Sequence, residues 1–191
     1  MNKKNRFCHG SWVIGHGSLL LIVLLVLSGC GGPEGIGKDW HRVEPPKPAI
    51  DFTLQQLDHG SVSLSQYRGK IVVMEFWATW CGPCRFSLPS LEMIYKQYRD
   101  RGVVILLLNQ DEESVKVRKW AGKRFSAPIL LDVKAQVAQR YGVSGIPHLF
   151  IVNQDGQVVY EHGGYGGGLE HNLKLILDQM LAPSIPSPSH A

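Results

Sequence analysis

The sequence predicts an α/β sandwich over residues 48–182, and three patterns carry that expectation. Two runs are apolar almost throughout, Ile71–Trp77 (IVVMEFW) and Val103–Leu108 (VVILLL), the composition of strands covered on both faces. Stretches with helical spacing of apolar residues separate and follow them, at Pro83–Tyr98, Asp111–Lys123 and Leu169–Leu181. Near the end, Pro147–Val152 and Val158–His162 flank Asn153-Gln154-Asp155-Gly156, whose turn-forming residues close an antiparallel hairpin. Strands packed between helices, with parallel pairs first and a hairpin last, make a layered architecture around a mixed sheet.

The chain has 191 residues, 44% hydrophobic and 19% charged, enough for one domain with a true core and appendages. That balance excludes a largely disordered chain and a polytopic membrane protein. The formal charge of +4 comes mostly from Lys3, Lys4 and Arg6. Without residues 1–29 the count is 17 basic against 16 acidic, which leaves no electrostatic footprint for nucleic acid. Those first residues read as a leader. A basic start precedes Leu19–Leu27, nine apolar residues that as a helix rise about 14 Å, too short for a hydrocarbon core of about 30 Å. The run ends in Leu27-Ser28-Gly29-Cys30, which resembles the bacterial lipobox. The resemblance implies acylation of Cys30, cleavage just before it, and a mature protein lipid-anchored to a bacterial membrane, facing the periplasm or cell surface. An ordinary signal peptide or an uncleaved anchor is the alternative.

The remaining elements follow in order. Residues 30–47, rich in Gly and Pro and without periodicity, read as a flexible tether. Ser61–Leu64 reads as a short strand, followed by a turn through Tyr67-Arg68-Gly69-Lys70 and the buried strand Ile71–Trp77. In the helix Pro83–Tyr98 the core stripe is Leu88, Leu91, Met93, Ile94 and Tyr98, with Pro89 expected to kink it. Asp111 is expected to cap the next helix, with Val115, Val117 and Trp120 facing inward. Pro128–Leu131 is a brief strand, Val133–Tyr141 a short helix, and residues 183–191 a disordered Pro/Ser tail.

Cysteine usage narrows the chemistry. Cys8 leaves with the leader and lipid consumes Cys30, so Cys81 and Cys84 remain as a Cys-x-x-Cys pair. Structural zinc needs about four ligands, and neither another Cys nor a closely spaced His pair supplies the rest. A bridge over so short a loop restrains little of the unfolded chain, so a purely structural disulfide is also disfavoured. Redox chemistry remains. Trp80-Cys81-Gly82-Pro83-Cys84 follows a buried strand and opens a helix. Cys81 therefore sits where unpaired N–H groups and the helix dipole favour a thiolate, with its pKa drawn down toward about 7. Cys84 lies one turn in, close enough to close the disulfide. Gly82 and Pro83 permit the turn without forfeiting a hydrogen bond.

WCGPC resembles the active-site pentapeptide of the thioredoxin superfamily, and the likeness runs further. Asp51-Phe52-Thr53-Leu54 with Val62-Ser63-Leu64-Ser65 and Tyr67-Arg68-Gly69-Lys70 resembles the N-terminal hairpin of the TlpA/ResA branch. Phe76-Trp77-Ala78-Thr79-Trp80-Cys81 resembles that branch's approach to the active site, and Tyr141-Gly142-Val143-Ser144-Gly145-Ile146-Pro147 the loop carrying the superfamily's cis-proline. The resemblance implies a three-layer α/β/α thioredoxin-like fold over residues 48–182 with a strand–helix insertion near 127–141. It implies that Cys81 attacks a substrate disulfide and Cys84 resolves the mixed disulfide. It also implies that Pro147 is cis, with the Ile146 backbone pairing to an extended substrate. No cofactor or metal is implied; the partners are protein disulfides and a membrane electron donor of the thiol–disulfide relay type.

Two positions individualise the site. Glu75 is the only charge in a strand otherwise written for burial, six residues before Cys81. A buried carboxyl there has a raised pKa and suits a proton acceptor for Cys84; the alternative is a strand-edge Glu reaching solvent. Ser87 stands where the cytochrome c maturation reductases of this branch commonly carry a Glu, which weighs against apocytochrome c as the substrate. Trp80 shades the active site, and His148 is a rim residue near it. Gly163–Gly168 lacks the phosphate-binding patterns and reads as a flexible loop. The reading is a reducing thiol–disulfide oxidoreductase. Its rivals are an oxidant or isomerase, a thiol peroxidase, and a non-enzymatic lipoprotein that binds a partner.

Overall fold

The computed structural model describes residues 36–58, 60–111 and 113–182. The leader, Cys30 and the tail at 183–191 lie outside the described residues. Among the described residues eight strands form one mixed sheet: β1 (Trp40–Pro48), β2 (Thr53–Gln56), β3 (Ser61–Ser63), β4 (Ile71–Trp77), β5 (Val103–Asn109), β6 (Ile129–Leu131), β7 (His148–Val152) and β8 (Gln157–Gly163). Their spatial order is β1-β8-β7-β4-β5-β6-β2-β3. The four helices are α1 (Cys84–Tyr98), α2 (Ser114–Ala121), α3 (Gln136–Arg140) and α4 (Leu169–Leu181). β4 lies centrally, parallel to β5 and antiparallel to β7, and every one of its residues is buried.

The two-residue period of β4 divides the core into two layers. Ile71, Val73 and Trp77 face a cluster with Leu88, Leu91 and Ile94 of α1, Val117 of α2, and Leu173 and Ile176 of α4. Val72, Met74 and Phe76 face the opposite cluster, with Phe52, Leu64 and Val137 and Ala138 of α3. The sheet is thus covered on both faces, as the three-layer expectation required. The insertion is β6 with α3. β6 runs parallel to β5 and joins it to the β2–β3 hairpin, with Gln55 opposite Leu131.

Four expectations are corrected. Residues 40–47 are not tether: β1 pairs antiparallel with β8, Trp40 opposite His162, and Trp40 is buried with its ring against that imidazole at 4.8 Å. The prolines that hide this strand are tolerated because it is an edge. Its register breaks between Arg42 and Lys47, so Pro45 and Pro46 fall where no ladder N–H is needed. Met93 is 50% exposed, lying beyond the edge of the buried stripe on α1. Val115 is 73% exposed because α2 begins only at Ser114 and buries its Val117–Ala121 side. Asp111 does not cap α2, which starts after Glu113; its carboxylate turns toward the active-site loop.

Candidate active site

β4 ends at Trp77, and the chain crosses the sheet's edge through Ala78, Thr79 and Trp80 before α1 begins at Cys84. That crossing is pinned to the end of β5. The Asp111 carboxylate accepts from the Thr79 N–H at 2.7 Å, the Thr79 hydroxyl at 2.8 Å and Asn109 Nδ2 at 2.8 Å. The Gln110 N–H donates to the Trp77 carbonyl at 2.9 Å. Beyond this clamp, Cys81 and Cys84 form a disulfide with Cα atoms 5.4 Å apart. The Cys84 N–H, one of the amides that α1 leaves unpaired at its start, points at Cys81 Sγ at 3.2 Å. This is the donor a Cys81 thiolate needs. Cys84 is fully buried, Cys81 is 4% exposed, and the adjoining Gly82 and Pro83 are open to solvent.

The Ile146–Pro147 peptide is cis, and the Ile146 carbonyl oxygen lies 3.6 Å from Cys81 Sγ. Trp80 is 69% exposed beside the disulfide. His148 sits on the neighbouring strand with Nε2 2.9 Å from Glu161 Oε1, so it is committed away from the sulfurs. Residues expected from sequence thus converge: Trp80, Cys81, Gly82, Pro83, Cys84, Ile146 and Pro147 surround one sulfur pair.

Glu75 reaches the same place from below. It shares the parity of Val73 and Trp77, so its carboxyl points into the α1 layer and not to solvent; the residue is 1% exposed. There it meets Ser87, whose hydroxyl donates to Glu75 Oε1 at 2.6 Å and also approaches the Cys84 carbonyl at 3.2 Å. Burial pushes the Glu75 carboxyl up to about 8, and the Ser87 bond holds it slightly back. Both protonation states find a partner. The carboxylate accepts from Ser87; the protonated form can donate to Ser87 Oγ, whose own hydrogen then turns to the Cys84 carbonyl.

Sequence reasoning registered Ser87 only as a missing carboxylate. The signal available was a small polar residue one turn after Cys84, facing the sole charge in β4. Two further residues went unnoticed. Arg85 donates from Nη2 to the Thr79 carbonyl at 3.2 Å, and Tyr165, carried by the glycine-rich loop, stacks on Phe86 at 5.8 Å. Among the described residues no group of three His, Cys, Asp or Glu side chains is placed to hold a metal.

Comparison with known proteins agrees with this geometry. The profile of the AhpC/TSA family matches residues 45–161. The thiol–disulfide oxidoreductase ResA of Geobacillus thermodenitrificans is 39% identical over 143 residues, covering 74% of this chain and 82% of that protein. Among solved structures, a candidate DsbE thiol:disulfide interchange protein from Chlorobium tepidum superposes with a TM-score of 0.68 at 30% identity, over 71% of this chain and 96% of that one. The exposed lipoprotein thioredoxin Etrx1 of Streptococcus pneumoniae superposes with a TM-score of 0.61 at 28% identity, over 68% of this chain and 99% of that one. A CxxC disulfide at a helix start, a cis-proline loop beside it and these relatives lead to one assignment: the chain belongs to the AhpC/TSA family and, within it, is a thiol–disulfide oxidoreductase of the ResA type.

Proposed function

We propose that this protein reduces disulfide bonds of other proteins outside the cytoplasm, held to a bacterial membrane by lipid on Cys30. In the reduced enzyme, Cys81 thiolate attacks one sulfur of the substrate disulfide. A Cys81–substrate disulfide forms and the first substrate thiolate leaves. Cys84 then passes its proton to Glu75 in molecules where that carboxyl is ionised, a share that grows as pH rises toward about 8, and attacks Cys81 Sγ. The mixed bond breaks, the second substrate thiolate leaves, and the two electrons now reside on the substrate thiols, with Cys81 and Cys84 left oxidised as a disulfide. Regeneration takes two electrons from a membrane donor of the thiol–disulfide relay type.

The observation that carries this reading is the Glu75–Ser87 pair under Cys84. Pushed up to about 8 by burial, the carboxyl comes into the range where it can take a proton from a thiol. Gly82-Pro83 between the cysteines and the resemblance to thioredoxins favour the reducing direction. The lipobox at Leu27–Cys30 supports the anchor, as does the likeness to a pneumococcal protein that is itself named an exposed lipoprotein. Ile146 and Pro147 fit as the backbone edge for an extended substrate, and Trp80 as an apolar contact beside it.

The equilibrium reduction potential of the Cys81–Cys84 pair tests the direction. A value near that of thioredoxin, about −270 mV, is expected; a value near about −120 mV would make the protein an oxidant and overturn the reading. Peroxide reduction by the same thiol pair is the second reading. Peroxide consumption by the reduced protein, faster than its reduction of peptide disulfides, would favour it.

A further inference from the structure

The disulfide is flanked on its α1–α2 side by cations that the exchange chemistry does not use. From Ser114 to Leu131 the sequence carries five basic residues and no acid. Lys116 pairs with Glu113, and Arg118 with Asp58. Lys119, Lys123 and Arg124 are exposed and have no acidic partner among the described residues. Trp120 lines one groove with Lys119, Lys123 and Arg124. Its ring is anchored on Trp77 at 5.4 Å and Phe125 at 5.9 Å, and it carries the Arg124 guanidinium at 5.2 Å and that of Arg85 at 5.9 Å.

Arg85 ties this face to the chemistry. It directly follows Cys84 and reaches back to the Thr79 carbonyl, two residues before Cys81. A groove lined by Arg85, Pro89, Glu92, Trp120, Arg124 and Phe125 runs alongside. The one acid there is already committed: Glu92 is buried, accepts the Ser126 N–H at 2.9 Å and pairs with Lys96 at 3.2 Å. Stacking on an indole occupies the face of a guanidinium and leaves in-plane N–H donors for a carboxylate. The cations outnumber the acids beside them, Asp58 and Glu92, which are paired with Arg118 and Lys96, and that excess makes a local field that favours an anionic partner.

We propose that this face binds an acidic segment of the disulfide-bearing protein substrate, its carboxylates pairing with Arg85, Lys119, Lys123 and Arg124. The inference rests on the exchange activity proposed above and adds the substrate's charge class. A protein segment fits better than an anionic membrane, because the face shares the first turn of α1 with the disulfide. A bilayer seated there would cover the sulfur that substrates must reach.

The test uses the full chain, reduced beforehand, and two peptides that each contain one intramolecular disulfide. They differ only in a flanking triplet, three Glu in one and three Gln in the other. The second-order rate constant for the Glu peptide should exceed that for the Gln peptide by about tenfold at low salt. That preference should vanish between about 0.01 M and about 1 M salt, as the screening length falls from about 30 Å to about 3 Å. The triple variant Lys119→Gln, Lys123→Gln, Arg124→Gln should bring the ratio close to one. An equal ratio in the wild type, a ratio indifferent to salt, or one retained by the folded variant overturns the proposal. So does an unchanged ratio combined with loss of binding to phosphatidylglycerol vesicles, which would assign the face to lipid. The salt titration needs only the wild type, so it decides even if the variant fails to fold. Failure to reduce either peptide would instead refute the exchange reading itself.

Discussion

Replacing Glu75 by Gln should change how the oxidised protein's stability depends on pH. In the unfolded chain this carboxyl titrates near 4.5; in the fold it titrates at about 8. Between those values the unfolded chain holds Glu75 ionised and the folded protein holds it protonated, so folding takes up a proton. Stability from this site is therefore full below about pH 4.5 and falls by about 1.4 kcal/mol per pH unit until it levels above pH 8. At pH 7, 2.5 pH units above the ordinary value of 4.5, the protonation costs roughly 3 kcal/mol. Gln removes this cost. It keeps an oxygen for Ser87 but brings an amide N–H that must find an acceptor, a penalty of about 1–3 kcal/mol independent of pH.

Urea unfolding of the oxidised wild type and variant at pH 5, 6, 7 and 8, followed by tryptophan fluorescence, separates the two contributions. Every other titrating group cancels in the difference. Relative to wild type, the variant should gain roughly 4 kcal/mol between pH 5 and pH 8, about 1.4 kcal/mol per unit. Stability curves that stay parallel within about 1 kcal/mol would refute the reasoning, since Glu75 would then be ionised in the fold or reached by water. The same variant should slow resolution of the mixed disulfide by about 100-fold, the usual worth of a positioned base.

Ser87→Ala removes the hydrogen bond that holds the Glu75 carboxyl down, so the pH–rate profile of disulfide reduction should move to higher pH; an unmoved profile would separate Ser87 from the chemistry. The unpartnered carboxyl oxygen should cost about 1–3 kcal/mol in urea unfolding. Trp40→Ala tests whether β1 is integral to the domain. Loss of a buried indole against His162 should cost about 3–5 kcal/mol, whereas a tether residue would cost almost nothing.

Much of this was legible because period and chemistry coincide in the sequence. β4 and α4 are read almost to the residue: one is a continuous apolar run and the other a clean helical stripe, each bounded by turn residues. Cys81, Cys84 and Pro147 stand in short motifs whose geometry is local. β1 was not legible, because its partner, β8, is more than a hundred residues away and its prolines mimic a linker. Asp111 was misread for a related reason. An acid ahead of a helix is a cap by local rules, but here Thr79 in the loop across the sheet edge offers it two donors and Asn109 at the end of β5 a third. Arg85 and Trp120 meet only through the packing of α1 beside α2, which no spacing encodes.

Four buried carboxyls among the described residues show how this fold separates scaffold from chemistry. Asp132 accepts the N–H groups of Val137 and Ala138 at 2.9 Å each and fixes the start of α3. Glu92 takes Ser126, Ala127 and Lys96 and ties α1 to the turn before β6. Asp111 takes three donors and fixes the loop into Cys81. Each carboxyl is matched by donors that also tie two segments together. Glu75 has one donor, a hydroxyl that can reverse its role, and no cation. Its burial is therefore relieved by binding a proton and not by neighbours, and it can gain or lose that proton without loosening β4 or α1. A base under a redox dithiol must change state once per turnover while the sulfurs stay aligned. Among these four, Glu75 alone fits the base proposed for Cys84, and it lies on the same face of the sheet as that residue.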